Sequence, residues 1–377
     1  MKILLNLSVI KHGGGLQVAL SLLNELKNIN TENKFYVLVS PNVFRNIQTI
    51  SFPSNFNIEL IAYSPSNLIK WYIIRRRLQR IEEIFSPNVV FTLFGPSYWK
   101  PNVPHLCGYA LPHYIYTESP FFKIIGFKKK IKWKILEIIK LWVLKKDGDY
   151  FVTETNDLTK KLASKLRIPI SNVFTVNNTL NGVFEDKSKW INSTEKLESA
   201  KGFKLITISS YYEHKNLQII LSVIDYLNDK YPNFSFTFIL TVESHKFPVL
   251  KKHHKNHIIF LGATKLEECP SLYEYSDALF MPTLLECFTV SYLEAMKMLK
   301  PILTSDLSFA HDICDNAAIY FDPLDPRDIG EKIIALAQNV KLQQELIQRG
   351  KERLVCFGTP ADRAQKYLKI LENIVNT

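Results

Sequence analysis

The sequence predicts an α/β protein made of two parallel sheets, each with helices on both faces. Three observations carry that expectation. Short β-branched or aromatic runs alternate with longer helical patterns along all 377 residues, the alternation restarts midway after a turn-rich break, and several strands run directly into a loop that starts a helix.

In the first half, strand patterns fall at 2–8, 35–39, 57–63, 88–93, 104–109, 149–154 and 172–176. Helical patterns lie between them at about 15–29, 66–84, 121–146 and 156–166. The opening run Met1–Ile10 contains Asn6 and Ser8, lacks a small-residue cleavage site and ends in Lys11-His12-Gly13-Gly14-Gly15. It is read as a buried first strand leading into a glycine loop, not as a signal peptide. The break is Asn177-Asn178-Thr179-Leu180-Asn181-Gly182, whose residues tolerate left-handed backbone. After the charged, weakly periodic stretch 186–202, strands are expected at 204–209, 234–241, 257–261, 277–281, 301–304 and 317–321. Helices are expected at 215–229, 265–275, 289–299, 326–338 and 341–355, and a final amphipathic helix at 359–375. The expected domains are 1–180 and 181–358, both Rossmann-like. Facing each other, they would place a ligand cleft at the carboxyl ends of both sets of strands.

Composition narrows the partners. Apolar residues make up 46% and charged residues 22%, which is globular, and the net charge of +11 asks for an anionic partner. Nucleic acid, anionic lipid head groups and phosphorylated small molecules all qualify. Five scattered cysteines show neither zinc spacing nor a disulfide framework, which suits a reducing compartment. No run reaches 18 uninterrupted apolar residues, so no transmembrane helix is expected and the location is read as cytoplasmic. His253, His254 and His257 lie among lysines with no acidic or cysteine neighbour in sequence, and are read as solvated surface.

Chemistry concentrates at the strand-to-helix junctions of the second half. Strand 277–281 ends in Pro282-Thr283, followed by Glu286 and, eight residues later, Glu294. With a helix starting near Thr289, the N–H groups of Phe288, Thr289 and Val290 are free donors suited to a diphosphate. The plain alternative is that Glu286 caps a helix and Glu294 is surface. Strand 204–209 runs into Ser210-Tyr211-Tyr212-Glu213-His214-Lys215-Asn216. Lys215 at a helix start opposes the helix dipole unless an anion sits there, which favours a phosphate-neutralising role over an idle surface lysine. His12-Gly13-Gly14-Gly15 is not the dinucleotide fingerprint, and no acidic residue ends the next strand, which argues against a dehydrogenase. These glycines admit either a close backbone approach to a ligand or a simple tight turn.

Together these pieces resemble the retaining GT-B glycosyltransferases of glycosyltransferase family four, over nearly the whole chain. The most specific part is the E-x7-E motif from Glu286 to Glu294. Bacterial members of O-antigen or capsule gene clusters resemble it further in Gly13-Gly14-Gly15-Leu16-Gln17 and in Phe94-Gly95-Pro96-Ser97-Tyr98-Trp99. The resemblance implies two facing Rossmann-like domains with parallel sheets and an interdomain cleft, and a last helix, within 359–377, packed back on the first domain. It implies that Glu286 contacts the transferred sugar and Glu294 the ribose, while Lys215, Cys287, Phe288, Thr289 and Val290 hold the diphosphate. Gly14 and Gly15 would approach that group from the other domain. Two departures stand out. Ser210 occupies the donor-site position where many members have arginine, and His113 is offered for a histidine that normally falls two or three residues earlier. The implied reaction needs a nucleotide-diphosphate sugar as co-substrate and neither metal nor cofactor. Asp147-Gly148-Asp149 matches a metal-binding DxD pattern but is read as a turn.

Segment 121–146 holds nine lysines interleaved with aromatic residues and isoleucines. Residues 121–134 are offered for contact with an anionic membrane surface, which would suit a lipid-linked saccharide acceptor. Its second half, apolar nearly all round, is expected to be core. Two other functions are weighed: a sugar-nucleotide epimerase of the same fold, and a basic nucleic-acid-binding protein, for which Trp71–Arg77 is the best fragment and no module is recognisable. The loops that choose base, sugar, acceptor and linkage carry no readable pattern.

Overall fold

The computed structural model describes residues 1–62 and 68–377. Residue 63 of the expected strand 57–63, and residues 66–67 of the expected helix 66–84, lie outside the described residues. The chain divides into two compact units.

The first unit comprises Met1–Thr117, Gly126–Asn178 and Thr359–Thr377. Chain order runs β1 (Lys2–Leu7), α1 (Gly14–Asn28), β2 (Lys34–Val39), α2 (Pro41–Ile47), β3 (Phe56–Leu60), α3 (Leu68–Phe85), β4 (Val89–Thr92) and β5 (His105–Gly108). After α4 (Phe121–Ile124), which belongs to the other unit, come α5 (Phe127–Asp147), β6 (Tyr150–Thr153), α6 (Asn156–Leu166) and β7 (Val173–Thr175). The seven strands form one parallel sheet ordered β3-β2-β1-β4-β5-β6-β7. Side chains alternate across it. Ile3, Leu5 and Leu7 face a core shared with α1, while Leu4 and Val90 face Ile74, Leu78 and Ile81 of α3. Right-handed crossovers put α5, which also runs between strands in the β3-to-β7 direction, on the α3 face.

The second unit comprises Glu118–Ile125 and Thr179–Gly358. It contains β8 (Phe203–Thr207), α7 (Ile219–Lys230), β9 (Phe236–Leu240), β10 (Ile258–Phe260), α8 (Cys269–Tyr275), β11 (Ala278–Met281) and α9 (Val290–Lys297). Then follow β12 (Ile302–Ser305), α10 (Ser308–Cys314), β13 (Ala318–Phe321), α11 (Pro326–Ala337) and α12 (Val340–Val355). Its six parallel strands are ordered β10-β9-β8-β11-β12-β13 around a core of their own. The last helix, α13 (Pro360–Asn376), returns to the first unit. It inserts Tyr367, Leu368, Leu371 and Ile374 into the core beside α1. There Arg363 is almost wholly buried, and donates to Asn178 Oδ1 and, at 2.9 Å, to Ser21 Oγ.

The structure departs from the sequence reading in four places. The expected helix 121–146 is broken at Gly126, whose extended backbone (φ −65°, ψ 154°) separates α4 from α5. Residues 118–125 therefore go with the second unit, where Ser119 Oγ donates to the Leu284 carbonyl and Phe121 packs edge-on against His214. The helix expected from 215 starts at Ile219, because Asn216 takes left-handed backbone at φ 53°. Two seven-residue helices, α2 and α10, were not expected; α2 is started by Ser40, whose Oγ accepts from Val43 N at 3.3 Å, and by Pro41 at its first position.

Candidate functional site

In the second sheet the chain order reverses between β8 and β11, which pair directly through Leu205 with Ala278 and Ile206 with Leu279. A crevice outside the carboxyl ends of two such strands is where open α/β sheets take ligands. Both second-half motifs leave from those ends.

After β8 the chain passes exposed Ser210 and reaches a short 3-10 turn, Glu213–Lys215, which hydrogen bonds anchor. Leu284 N donates to the His214 carbonyl at 2.8 Å, Thr283 Oγ1 donates to the same oxygen at 3.3 Å, and Asn216 Nδ2 donates to the Pro323 carbonyl at 2.8 Å. The His214 ring stacks on Tyr212. Burial, followed by the adjacent Lys215 charge, pushes its pKa down to about 4, so the ring is neutral at physiological pH. Lys215 itself is the cation. It precedes α7 by four residues instead of opening it, and its Nζ donates to Glu286 Oε1. Thr283 Oγ1 lies 3.2 Å from that same oxygen, so its one hydrogen is shared between it and the His214 carbonyl. The two motifs, 71 residues apart, thus meet at one carboxylate, with the Lys215 and Glu286 side chains only 15% and 12% exposed.

Beyond Glu286, Cys287 is buried, Phe288 packs edge-on against Phe357, and Thr289 is the N-cap of α9. The helix begins at Val290, so its free first-turn N–H groups start one residue later than expected, and Phe288 N–H precedes them. Thr289 gives no side-chain cap. Its Oγ1 is buried without a hydrogen-bond partner among the described residues, a donor left over at a helix N-terminus. Glu294 is the fifth residue of α9 and is 4% exposed, so the surface alternative fails for it. Its Oε2 accepts from Tyr273 OH at 2.9 Å. Burial raises the carboxyl to about 7 against the lowering effect of that bond. Thr283 and Tyr273 are the site neighbours that sequence reasoning missed. Thr283 was visible as the Pro-Thr ending the strand; Tyr273 carries no local signal, because it comes from α8.

The remaining candidates lie in the first unit. Gly13, not Gly14 or Gly15, holds the left-handed backbone (φ 71°) that requires glycine. A Cβ on Gly14 would meet nothing within 4 Å, and one on Gly15 would touch the Phe94 ring at 3.5 Å. This loop and Phe94 follow β1 and β4, the pair at which the first sheet reverses its order. His113 sits in the 3-10 turn Pro112–Tyr114, its ring stacked on Trp133 of α5 at 4.2 Å between centroids. Asp147, the last residue of α5, and Asp149 bond segments distant in sequence. Asp147 is buried and accepts from Ser97 Oγ at 3.2 Å, and Asp149 accepts from His105 N at 3.1 Å and pairs with Lys100.

The histidine cluster needs correction. Asp225 of α7, distant in sequence, reaches both His253 and His254, and His254 is buried, not solvated. The distances from Asp225 Oδ1 to their Nε2 atoms are 2.6 and 2.7 Å. These are hydrogen-bond lengths, shorter than the roughly 3.3 Å between neighbouring ligands of a tetrahedral zinc. Burial works against the Asp225 charge, but the two histidine bonds outweigh it and hold the pKa down to about 2. The cluster is a staple between α7 and the turn before β10.

Fold and site together define a two-unit α/β protein of the GT-B type, with a polar site at the order reversal of its second sheet. Within that class, residues 188–353 of the chain match the family described as "Glycosyl transferases group 1". It is also similar to the O-antigen chain mannosyltransferase RfbU of Salmonella typhimurium, at 22% identity over 219 residues. That match covers 56% of this chain and 57% of the relative, so the chain spans little more than half of that protein's length. Among solved structures, a glycosyltransferase from Rickettsia africae superposes with a TM-score of 0.73 at 12% identity, covering 99% of this chain and 98% of that one. Anabaena Alr3699/HepE, in complex with UDP-glucose, superposes with a TM-score of 0.69 at 13% identity over 99% and 100% of the two chains.

Proposed function

We propose that the chain is a retaining glycosyltransferase, moving a sugar from a nucleotide-diphosphate sugar to a saccharide acceptor. The observation that carries this reading is the convergence of Lys215, Glu286 and the N-terminus of α9 at the β8–β11 reversal. Lys215 is a point cation already placed beside that helix start. An incoming diphosphate draws it from Glu286, and the freed carboxylate is then available to sugar hydroxyls. The Thr289 hydroxyl and the first-turn amides of α9 complete the anion cradle. The bond from the anomeric carbon to the diphosphate breaks, the acceptor oxygen bonds on the same face, and the acceptor proton passes to the departing phosphate. No metal is required in this scheme, because Lys215 and the helix amides neutralise the leaving group. Glu294 contacts the ribose.

The similarity to an O-antigen chain mannosyltransferase supports an acceptor in bacterial surface polysaccharide synthesis. A lipid-linked acceptor would place the enzyme on the cytoplasmic face of the membrane as a peripheral protein. Among the described residues, no helix is long and apolar enough to cross a bilayer. Lys215→Ala should lower turnover on the order of 10²–10³-fold while leaving the fold intact; near-normal transfer by that variant overturns the assignment. Product analysis separates transfer from the epimerase alternative, which would invert C2 of the free donor and leave the acceptor untouched.

A further inference from the structure

The first unit carries a helix whose outer half has no core to face. A helix that is apolar all round is normally buried all round, and the second half of α5 was expected to be so. The structure buries only one side. Leu141 and Leu144 point inward with Glu137, and Trp133 lies half-buried against His113. On the opposite side Phe127 is 76% exposed, Ile138 and Trp142 are each 62% exposed, and Ile131, Ile135 and Ile139 are exposed with them. At 100° per residue these six fall within an arc of about 120°. From Phe127 to Trp142 the stripe runs about 23 Å along the helix.

Its borders are cationic. Lys132 flanks one edge, Lys130 and Lys134 the other, with Lys134 paired to Glu137 at 2.9 Å, and Lys128, Lys145 and Lys146 lie within the arc of the stripe near its two ends; all six are exposed. The acidic residues of α5, Glu137 and Asp147, are both buried, so its outer face carries no negative charge. The neighbouring α3, on the same face of the sheet, repeats the pattern. It exposes Ile69, Tyr72 and Ile73 beside Arg75, Arg76, Arg77 and Arg80, of which Arg77 pairs with Glu59 at 2.7 Å; one carboxylate, Glu83, is exposed on the same helix, so the excess there is cationic but not unmixed. Both helices rest on Tyr98. Trp71 Nε1 donates to its carbonyl at 2.6 Å, and Lys140 Nζ lies 4.8 Å from its ring centroid and contacts its hydroxyl.

We infer that the outer faces of α5 and α3 together form a docking surface for an anionic lipid bilayer. Apolar side chains at the centre would enter the acyl boundary, and the bordering lysines and arginines would meet lipid phosphates. This moves the contact from residues 121–134. Phe121 and Ile125 are buried in the other unit, Trp133 faces inward, and the stripe continues to Trp142. The inference deepens the membrane part of the proposed function and uses no residue of the donor site.

The test is co-sedimentation of the full chain with phosphatidylcholine vesicles, with and without phosphatidylglycerol. Two double variants are compared: Ile138→Ser with Trp142→Ser, and Lys128→Gln with Lys132→Gln. Binding should require phosphatidylglycerol and fall roughly tenfold or more in each variant, while the thermal shift on adding nucleotide stays unchanged. Loss of that shift from the unmodified chain would count against the donor site instead. Equal binding to neutral vesicles, or undiminished binding by the serine variant, overturns the inference. So does a stripe-dependent dimer, or stripe-dependent binding of an oligonucleotide, in a chain that ignores vesicles.

Discussion

Glu294 and Lys215 sit in different electrostatic settings. Lys215 sits against a carboxylate, whereas Glu294 is sealed inside α9 and, among the described residues, its side chain bonds the Tyr273 hydroxyl. With its pKa raised to about 7, Glu294 in the folded chain stays protonated over a range where the unfolded chain ionises. Its contribution to stability is therefore complete below the ordinary glutamate value of 4.5 and is lost as pH rises towards 7. Replacing it with glutamine keeps an acceptor for Tyr273 and removes the titration. In urea unfolding across that range, the wild type should lose on the order of 3 kcal/mol relative to Glu294→Gln. A constant difference between the two would show that the carboxyl is not buried as described. The neutral His214 ring complements this arrangement, since stacking on Tyr212 without charge leaves Lys215 as the cation of its turn.

Among the elements, α13 shows how a single helix can complete a core. Leu371 is 2% exposed and lies with Leu368 and Tyr367 against Ile3, Leu22, Leu26, Phe35 and Phe91. Leu371→Ala should destabilise the first unit by about 2–5 kcal/mol, seen as a lower unfolding temperature without loss of nucleotide binding. Strands were legible because each is a short apolar run with turn residues on both sides, and each expected strand matches an observed one within a few residues. Helix starts were less so. Gly126 and Asn216 impose backbone that amphipathic periodicity does not register, and each displaced a helix boundary. The site followed the same division. Glu286 and Lys215 could be read because each belongs to a local strand–loop–helix junction. Their mutual contact, the Tyr273–Glu294 bond and the Asp225–His254 bond depend on packing between distant segments, for which a single sequence has no marker. The outer stripe of α5 was misread for a related reason: periodicity shows that a helix has two apolar sides but not which of them finds a core.

For the molecule as a whole, two separately cored units make ligand effects local enough to map. A screen of UDP, GDP, ADP and dTDP should find one that raises the unfolding temperature, by about 2.7 kcal/mol of stabilisation at a hundred times its dissociation constant. The shift should be the same in EDTA, as a metal-free site requires. Hydrogen exchange under those conditions should slow at 209–216 and 283–294, and slowing at 12–16 as well would bring the glycine loop into the site. Loss of the shift in EDTA would refute metal independence.

The return of α13 to the first unit also sets an order of synthesis. A ribosome makes the strands of that unit first, but the helix that covers Ile3, Leu5 and Phe91 only after residue 358 of the second unit has been added. The second unit has all its segments by then. The unit begun first is thus the one finished last. Until then it carries an uncovered apolar face through the making of some 180 intervening residues, a long interval in which chaperones, or other nascent copies, have access to it.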